Sequence, residues 1–384
     1  MADYPQPADG KEAEGIRRVA AFFRREAVLS ISLVAALLSF LIAPPGRHTL
    51  EGMDTSTLLM LFTLMTVVAG IRAMGLFDRL GAALTRRLHT LRSLCMALTV
   101  ACFFLSMAAT NDVALLTLVP FTLLLMQGAA QRDVILTVVL ETVAANLGSM
   151  VTPIGNPQNL YLYASGRLTL MDFPRLTWPY AALSLLGLLL LSLRVTSAPV
   201  RSFEGEKRVI PRRLAALYGG LGAVALLAVA KVIPPWAAAA AVLAGTLALD
   251  RQVLCRVDYA LLGTFVCFFV FVSSIRASEP LRLWLEGITA RQPLLAPLLA
   301  SQVISNVPAC LLLASFTQDA EALMLGVNLG GLGTLVASLA SLISFKLYGT
   351  SQGAAKGRYL SVFTLLNVGM LGLLVLLAWT LGAI

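Results

Sequence analysis

Clusters of hydroxyl, amide and glycine residues interrupt the apolar stretches of this chain at four places. Two are short tips, Thr110-Asn111-Asp112 and Ser305-Asn306, each lying between two apolar stretches. The other two, residues 146–159 (NLGSMVTPIGNPQN) and 328–334 (NLGGLGT), combine asparagine with helix-breaking glycine, and the first also contains proline. A helix that begins at such a break exposes N–H groups that attract anions, and the carbonyl groups released there can coordinate a cation such as Na⁺. The pattern therefore predicts ion binding at broken helices.

The four clusters form two matched pairs. Residues 109–114 align with 304–309, and residues 145–152 align with 327–334, where Asn, Leu, Gly and Thr recur in register. Kinks and hydrogen-bonded helix contacts explain one such cluster, but packing alone does not require the duplication. The candidate substrate- or ion-binding residues are Thr110, Asn111, Asp112, Asn146, Gly148, Ser149, Thr152, Pro153, Gly155, Asn156, Pro157, Asn159, Ser305, Asn306, Asn328, Gly330, Gly331, Gly333 and Thr334. Within this set, the candidates for Na⁺ coordination are Asn111, Gly148, Asn306 and Gly330.

Two acids lie close to the first tip and the first break. Asp112 is part of the first tip, and Glu141 lies in the apolar stretch that leads into Asn146. A charged carboxylate near the centre of a bilayer costs about 2.5–3.5 kcal/mol on insertion scales, so each acid needs a partner, a wet cavity or a proton. One hypothesis is that one of them binds the coupling cation or proton; the alternative is a structural ion pair or a neutral buried acid.

The composition places these clusters in a membrane. Hydrophobic residues make up 58% of the 384 residues and charged residues 13%, whereas a soluble domain has about a quarter charged residues. Such a chain could not cover its apolar surface with polar groups in water. We expect an all-α polytopic membrane protein.

Hydropathy predicts nine membrane-spanning segments and two hairpins. The spans are 27–43, 57–74, 134–165, 178–193, 214–230, 236–249, 258–274, 321–345 and 360–381. The hairpins pair 94–109 with 113–126 and 294–304 with 309–316, and their short arms favour re-entrant hairpins that return to the same side of the membrane.

Charge supports this layout. With the N-terminus in the cytoplasm, 22 of the 29 Lys and Arg residues fall on the cytoplasmic side, as the positive-inside rule requires. The first 25 residues lack the pattern of a cleaved signal peptide, so the first apolar segment is expected to remain as a helix. We expect a multi-pass protein of the bacterial cytoplasmic (inner) membrane.

In this layout the two hairpins enter the membrane from opposite sides. The two halves are then inverted repeats, each with a re-entrant hairpin and a broken transmembrane helix. The predicted organisation is an N-terminal cytoplasmic segment (1–26), a first half (27–193), a basic cytoplasmic linker (194–213) and a second half (214–384).

These motifs resemble those of the ion transporter superfamily that contains divalent anion/sodium symporters, citrate transporters and arsenite permeases. Its mark is a Ser-Asn-Thr tip in each half followed by a Gly/Pro-broken helix; the tips here are Thr110-Asn111-Asp112 and Ser305-Asn306-Val307, and the breaks are 148–159 and 330–334. The resemblance implies a scaffold domain that forms a homodimer and a transport domain that moves against it. Asp112 and Val307 replace hydroxyl residues of the family pattern, and Asp112 resembles the arsenite-permease branch.

The leading functional hypothesis is a secondary active transporter of a small anion, a carboxylate or an inorganic oxyanion, coupled to Na⁺ or H⁺ by alternating access. The alternative is an arsenite-type efflux permease or a cation/proton antiporter on the same scaffold. The acid at the first tip favours this alternative, since an anionic tip repels an anionic substrate unless it is protonated or bound to a cation.

Other function classes are disfavoured. The chain has no CxxC pair and only two histidines, so neither a Cys/His metal site nor another cofactor is expected beyond the coupling ion. The HExxH and GxxxxGK[ST] motifs are absent, which disfavours an intramembrane enzyme and an ATP-driven pump. The basic residues form short clusters between apolar runs and not one face, which disfavours nucleic-acid binding.

Overall fold

The structure is a computed structural model that describes residues 26–75, 88–199 and 211–383. Within these ranges the regular structure is helical, apart from one isolated bridge between Thr90 and Pro199. The predicted N-terminal segment lies almost entirely outside the described residues, as does most of the predicted linker.

The helices of the first part of the chain are α1 (Ala27–Ser39), α2 (Arg47–Glu51), α3 (Thr55–Ala73), α4 (Leu91–Ala109), α5 (Asn111–Leu125), α6 (Gln131–Ser149), α7 (Pro157–Ala164) and α8 (Asp172–Ser192). Those of the second part are α9 (Arg212–Val229), α10 (Pro235–Leu249), α11 (Tyr259–Ala277), α12 (Glu279–Arg291), α13 (Leu295–Ile304), α14 (Asn306–Leu313), α15 (Ala320–Leu329), α16 (Leu339–Gly349) and α17 (Lys356–Thr380). Short 3₁₀ helices cover Arg251–Arg256 and Leu335–Ala337.

The prediction of an all-α, multi-pass membrane protein is confirmed. In the described part of the chain, six helices are long and apolar enough to cross a bilayer: α3, α4, α8, α9, α11 and α17. Shorter apolar helices accompany them. The inverted orientation of the two halves stays a prediction.

Several predicted segments differ from the observed helices. The predicted span 134–165 is two helices, α6 and α7, and the predicted span 321–345 is α15, a 3₁₀ turn and α16. The first arm of the first hairpin was predicted too short: α4 has 19 residues, because a Thr90–Ser93 capping box starts it before the apolar run. Helices α2 and α12 were not predicted, since a search for apolar spans passes over the many charged residues of α12.

The chain forms two compact units. One contains the described residues of 26–54 and 258–282, and in it α1 packs against α11, with Gly263 beside the Leu29 side chain. The other contains the described residues of 55–257 and 283–383, and it carries all four polar clusters. The predicted division into two halves at residues 194–213 concerns the sequence repeats and not these units, and it stays a prediction.

Helix α6 is the centre of the second unit. Every residue from Asp133 to Ser149 is buried, because α4, α5, α8, α16 and α17 all pack against this helix. A helix that is apolar on all sides belongs in such a position. Polar groups within α6 are therefore taken out of solvent, and each one needs a partner in the protein or in a ligand.

Pro120 shows how a break in a helix is satisfied. Proline has no N–H, so the carbonyl of Leu116 one turn earlier in α5 lacks its helical partner. Arg72 of α3 donates a hydrogen bond from Nη2 to this carbonyl at 3.0 Å. The arginine thus compensates for the proline.

Candidate functional site

The two predicted tips have the same backbone conformation. Thr110 joins α4 to α5 with φ 74° and ψ 152°, and Ser305 joins α13 to α14 with φ 72° and ψ 154°. A positive φ is uncommon for residues other than glycine, and for β-branched threonine it is strained. The sequence similarity of the tips therefore corresponds to a shared, costly local structure.

The asparagine that follows each hinge begins the second helix in the same way. Asn111 Oδ1 accepts a hydrogen bond from the Asp112 N–H, and Asn306 Oδ1 accepts one from the Val307 N–H, both at 2.9 Å. Both asparagines are buried. Each satisfies a backbone donor that the start of a helix leaves without a helical partner.

Each tip is tied to the break that follows it in sequence. The Asn111 N–H donates to the Gly155 carbonyl at 3.0 Å, and Ser305 Oγ donates to the Ala337 carbonyl at 3.4 Å. These carbonyl residues lie nine positions after Asn146 and Asn328, respectively.

The threonines of the two breaks bind the first arm of each hairpin. Thr152 Oγ1 donates to the Met107 carbonyl at 2.5 Å, and Thr334 Oγ1 donates to the Gln302 carbonyl at 3.0 Å. Met107 and Gln302 each lie three residues before their hinge. The same bond is therefore made at matching positions in both parts of the chain.

Glycine allows the C-terminal ends of α6 and α15 to approach the first arm of a hairpin closely. A Cβ atom at Gly148 would lie 2.1 Å from the Phe103 carbonyl oxygen and 2.6 Å from Ser106 Oγ. A Cβ atom at Gly330 would lie 2.8 Å from the side chain of Ser301. Ser106 and Ser301 both lie four residues before their hinge, so the two close approaches also match.

Asn146 joins the first broken helix to the second. Its Oδ1 accepts hydrogen bonds from Ser338 Oγ at 2.9 Å and from Asn111 Nδ2 at 3.2 Å. Its Nδ2 donates to Ser341 Oγ at 3.2 Å. Ser338 and Ser341 stand at the start of α16, beyond the second break.

Asn328 makes the reciprocal connection. Its Oδ1 accepts a hydrogen bond from Asn156 Nδ2 at 2.9 Å, and its Nδ2 donates to Asn159 Oδ1 at 2.7 Å. Asn156 and Asn159 stand at the start of α7, beyond the first break. The partners lie 10 and 13 residues after Asn146, as Ser338 and Ser341 lie 10 and 13 residues after Asn328. We call these residues, with Asn111, the asparagine network: Asn111, Asn146, Asn156, Asn159, Asn328, Ser338 and Ser341.

The remaining predicted residues lie around this network. Ser149 accepts a second hydrogen bond from Asn156, and Pro157 is the first residue of α7. A Cβ atom at Gly331 would lie 2.9 Å from Asn306 Nδ2. Gly155 approaches the Ser149 backbone, Gly333 has a φ of 102° at the second break, and Pro153 is buried in the first. Thr334 is exposed at the edge of the cluster.

The two candidate acids occupy different environments. Asp112 is half-buried at the first tip, in the first turn of α5. Glu141 is fully buried one and a half turns before Asn146 in α6, and its Oε1 accepts a hydrogen bond from Thr122 Oγ1 at 2.5 Å. The structure therefore does not bring the two acids together into one carboxylate pair.

Some residues of this region were missed by the sequence reasoning. Ser338 and Ser341 complete the network, and Gln302 holds the second break by donating from Nε2 to the carbonyls of Gly330 and Leu332. Gln158 in the first turn of α7 is 1% exposed, and both its Oε1 and its Nε2 lack a hydrogen-bond partner. A glutamine beside Pro157 and Asn159 inside a polar break was the available signal for Gln158.

The side chains of the asparagine network are all neutral amides and hydroxyls. Among the described residues, the buried ionisable acids are Asp133 and Glu141, and no lysine or arginine is buried. No cluster of His, Cys, Asp and Glu suited to a metal ion occurs in residues 26–75, 88–199 and 211–383. A ligand at the network would therefore meet amides, hydroxyls and the N-termini of α5, α7, α14 and α16, which carry partial positive charge.

A cavity of about 460 Å³ opens at the other end of α6. It is lined by the end of α5, the start of α6 and the segment between α16 and α17, including Leu123, Gln131, Val134 and Ser351. Gln131 is held there by Tyr348, whose hydroxyl donates to Oε1 at 2.8 Å.

Comparison with known proteins places this architecture among transporters. The sequence model of the family described as "Citrate transporter" matches residues 19–328, which include both tips, the whole first break and Asn328. "Inner membrane protein YbiR" of Escherichia coli (strain K12) is 33% identical over 336 residues, covering 82% of this chain and 86% of that protein. "Uncharacterized transporter MJ0456" of Methanocaldococcus jannaschii is 28% identical over 356 residues, covering 91% of this chain and 95% of that protein. "Silicon efflux transporter LSI3" of Oryza sativa subsp. japonica is 30% identical over 181 residues, which cover 45% of this chain and 37% of that protein.

Proposed function

The chain belongs to the citrate transporter family, and from this premise we propose that it is a secondary active transporter that moves a small anion, a carboxylate or an inorganic oxyanion, by alternating access. Membership makes it a membrane transporter; the substrate, the coupling to Na⁺ or H⁺, the homodimer and the cytoplasmic N-terminus are parts of the proposal.

The observation that carries this proposal is the reciprocal pair of asparagine bonds. Asn146 lies in the last turn of α6 and Asn328 in the last turn of α15, and each binds the start of the helix beyond the other break. The network thereby gathers helix N-termini at a buried place that lacks any basic side chain among the described residues. Such N-termini attract an anion through backbone N–H groups and need no side-chain charge.

Gln158 supplies a specific contact for the substrate. A buried polar group without a hydrogen bond costs about 1–3 kcal/mol, so a glutamine with two such atoms is expensive for structure alone. Because the amide offers one donor and one acceptor, it matches a ligand that presents both, such as a partly protonated carboxylic acid or oxyacid.

We predict that Gln158→Leu abolishes transport while leaving the thermal stability of the protein unchanged or higher. The substitution keeps the side-chain size and removes two buried atoms that have no partner in the protein. Uptake in proteoliposomes and thermal unfolding in detergent measure the two effects. Gln131→Leu is the matched control, because Gln131 has partners on both amide atoms, so it should lose stability. A Gln158→Leu protein that transports normally would remove Gln158 from the site.

A flux screen tests the function itself. Purified protein in proteoliposomes is offered radiolabelled citrate, succinate, phosphate and arsenate under an inward Na⁺ gradient, an inward H⁺ gradient or neither. We expect gradient-driven accumulation of one of these anions above the level of protein-free liposomes. If none accumulates under either gradient, the proposed anion uptake is wrong.

An efflux permease of the arsenite type, or a cation/proton antiporter, is the second candidate. The carboxylate of Asp112 at the first tip disfavours an anion there unless it is protonated or bound to a cation, and the rice relative is described as a silicon efflux transporter. Release of arsenite or silicic acid from preloaded proteoliposomes, with no uptake of the four anions, would favour this candidate.

A further inference from the structure

Glu141 is a buried carboxyl group that the protein satisfies on one side only. It lies in the middle of α6 and has no solvent-accessible surface. Its Oε1 accepts the hydrogen bond from Thr122, whereas its Oε2 is buried and has no hydrogen-bond partner.

Among the described residues, no cationic side chain faces Glu141. The titratable groups that face it are Cys95 and Cys102 on α4 and Tyr359 on α17, all of which are neutral when protonated. Helix α5 presents the Thr122 hydroxyl, and in the described part of the chain no charged group from α5, α8, α15 or α16 acts on the carboxyl. Arg175 forms ion pairs with Asp172 and Glu321 and not with Glu141.

These contacts argue against a purely structural acid. A structural carboxylate would have a basic partner, and a structural carboxylic acid would donate its hydroxyl to an acceptor. Oε2 of Glu141 has neither a basic partner nor a hydrogen-bond acceptor. A residue that gains and loses a proton needs this incomplete environment, because full satisfaction of one protonation state would prevent the other.

Glu141 lies between the cavity and the asparagine network. Val134 lines the cavity, and Glu141 follows it by seven residues on the same face of α6, about 10 Å deeper along the helix. Asn146 follows five residues later, about 7 Å further along. Thr122, the hydrogen-bond partner of Glu141, precedes Leu123 and Leu124, which also line the cavity.

We propose that Glu141 is the proton-binding residue of the transport cycle, taking up a proton on Oε2 from water in the cavity and releasing it when the site opens to the other side. The proposal rests on the proposed secondary transport and makes H⁺ the coupling ion. Only an O–H bond forms and breaks, and the proton gradient supplies the driving force.

Glu141→Gln in proteoliposomes tests the proposal, because the amide mimics the protonated acid and cannot release a proton. With radiolabelled citrate as the probe, we expect loss of pH-gradient-driven uptake but retention of citrate counterflow, since exchange requires no net proton movement. Glu321→Gln is the matched control, because it makes the same change at an exposed carboxylate that pairs with Arg175 outside the candidate site, and it should keep pH-gradient-driven uptake. Pronounced pH-driven uptake by Glu141→Gln would overturn the proposal while leaving the transport function intact.

An infrared pH titration gives a readout that does not depend on citrate being the substrate. The wild-type protein in detergent should show a protonated-carboxyl band that titrates and that disappears in Glu141→Gln. If wild type moves no anion in the flux screen but this band is present, the proposed function fails and the proton site stands. If the same band titrates in both proteins, Glu141 is not the proton site.

Discussion

Replacing Asn328 with alanine is expected to abolish transport and to lower the stability of the protein. The change leaves Asn159 Oδ1 without the bond at 2.7 Å and Asn156 Nδ2 without the bond at 2.9 Å, and both groups are buried. Each buried polar group that loses its partner costs about 1–3 kcal/mol. Thermal unfolding in detergent and uptake in proteoliposomes measure the two effects.

Asn146→Ala should give the same result, because Asn146 occupies the corresponding position and binds Ser338 and Ser341 in the corresponding way. The matched control is Asn367→Ala. Asn367 is equally buried, but its amide donates only to the Phe363 carbonyl of its own helix, α17. If Asn367→Ala and Asn328→Ala impair transport equally, the network has no special role.

The sequence was sufficient to find the positions of the tips and breaks. Asn146 and Asn328 could be matched because Asn, Leu, Gly and Thr recur in register around them, and the observed bonds of Thr152 and Thr334 follow that register. Polar residues between apolar stretches also located both hinges, since a helix break in an apolar environment needs its backbone groups satisfied.

The partners of these asparagines could not be predicted. The residues 10 and 13 positions after Asn146 are asparagines, whereas those 10 and 13 positions after Asn328 are serines, so residue identity hides their equivalence. Only the fold shows that each break is completed by residues from the other part of the chain. The sequence also does not show that Oε2 of Glu141 is left without a partner, which is the observation behind the proposed proton site.

Gly148→Ala is expected to disrupt the site strongly, although it adds only one methyl group. The new Cβ would lie 2.1 Å from the Phe103 carbonyl oxygen, a backbone atom that cannot rotate away, so α4 and α6 must separate. Overpacking of this kind typically costs about 1–3 kcal/mol, and here it also displaces the hairpin arm that precedes Thr110. We expect lower thermal stability and loss of transport.

Gly330→Ala and Gly369→Ala complete this experiment. At Gly330 the methyl group meets the Ser301 side chain and the Gly326 carbonyl oxygen at 2.8 Å, so the effect should be smaller than at Gly148 but in the same direction. Gly369 in α17 has nothing within 4 Å of an added Cβ, and alanine there should be neutral or stabilise the helix by about 1 kcal/mol. The order Gly148, Gly330, Gly369 in decreasing loss of stability is expected if close approach of hairpin and broken helix holds the site together. Equal effects of all three would mean that helix propensity, and not this approach, governs the response, and the matched contacts at Ser106 and Ser301 would then carry no functional weight.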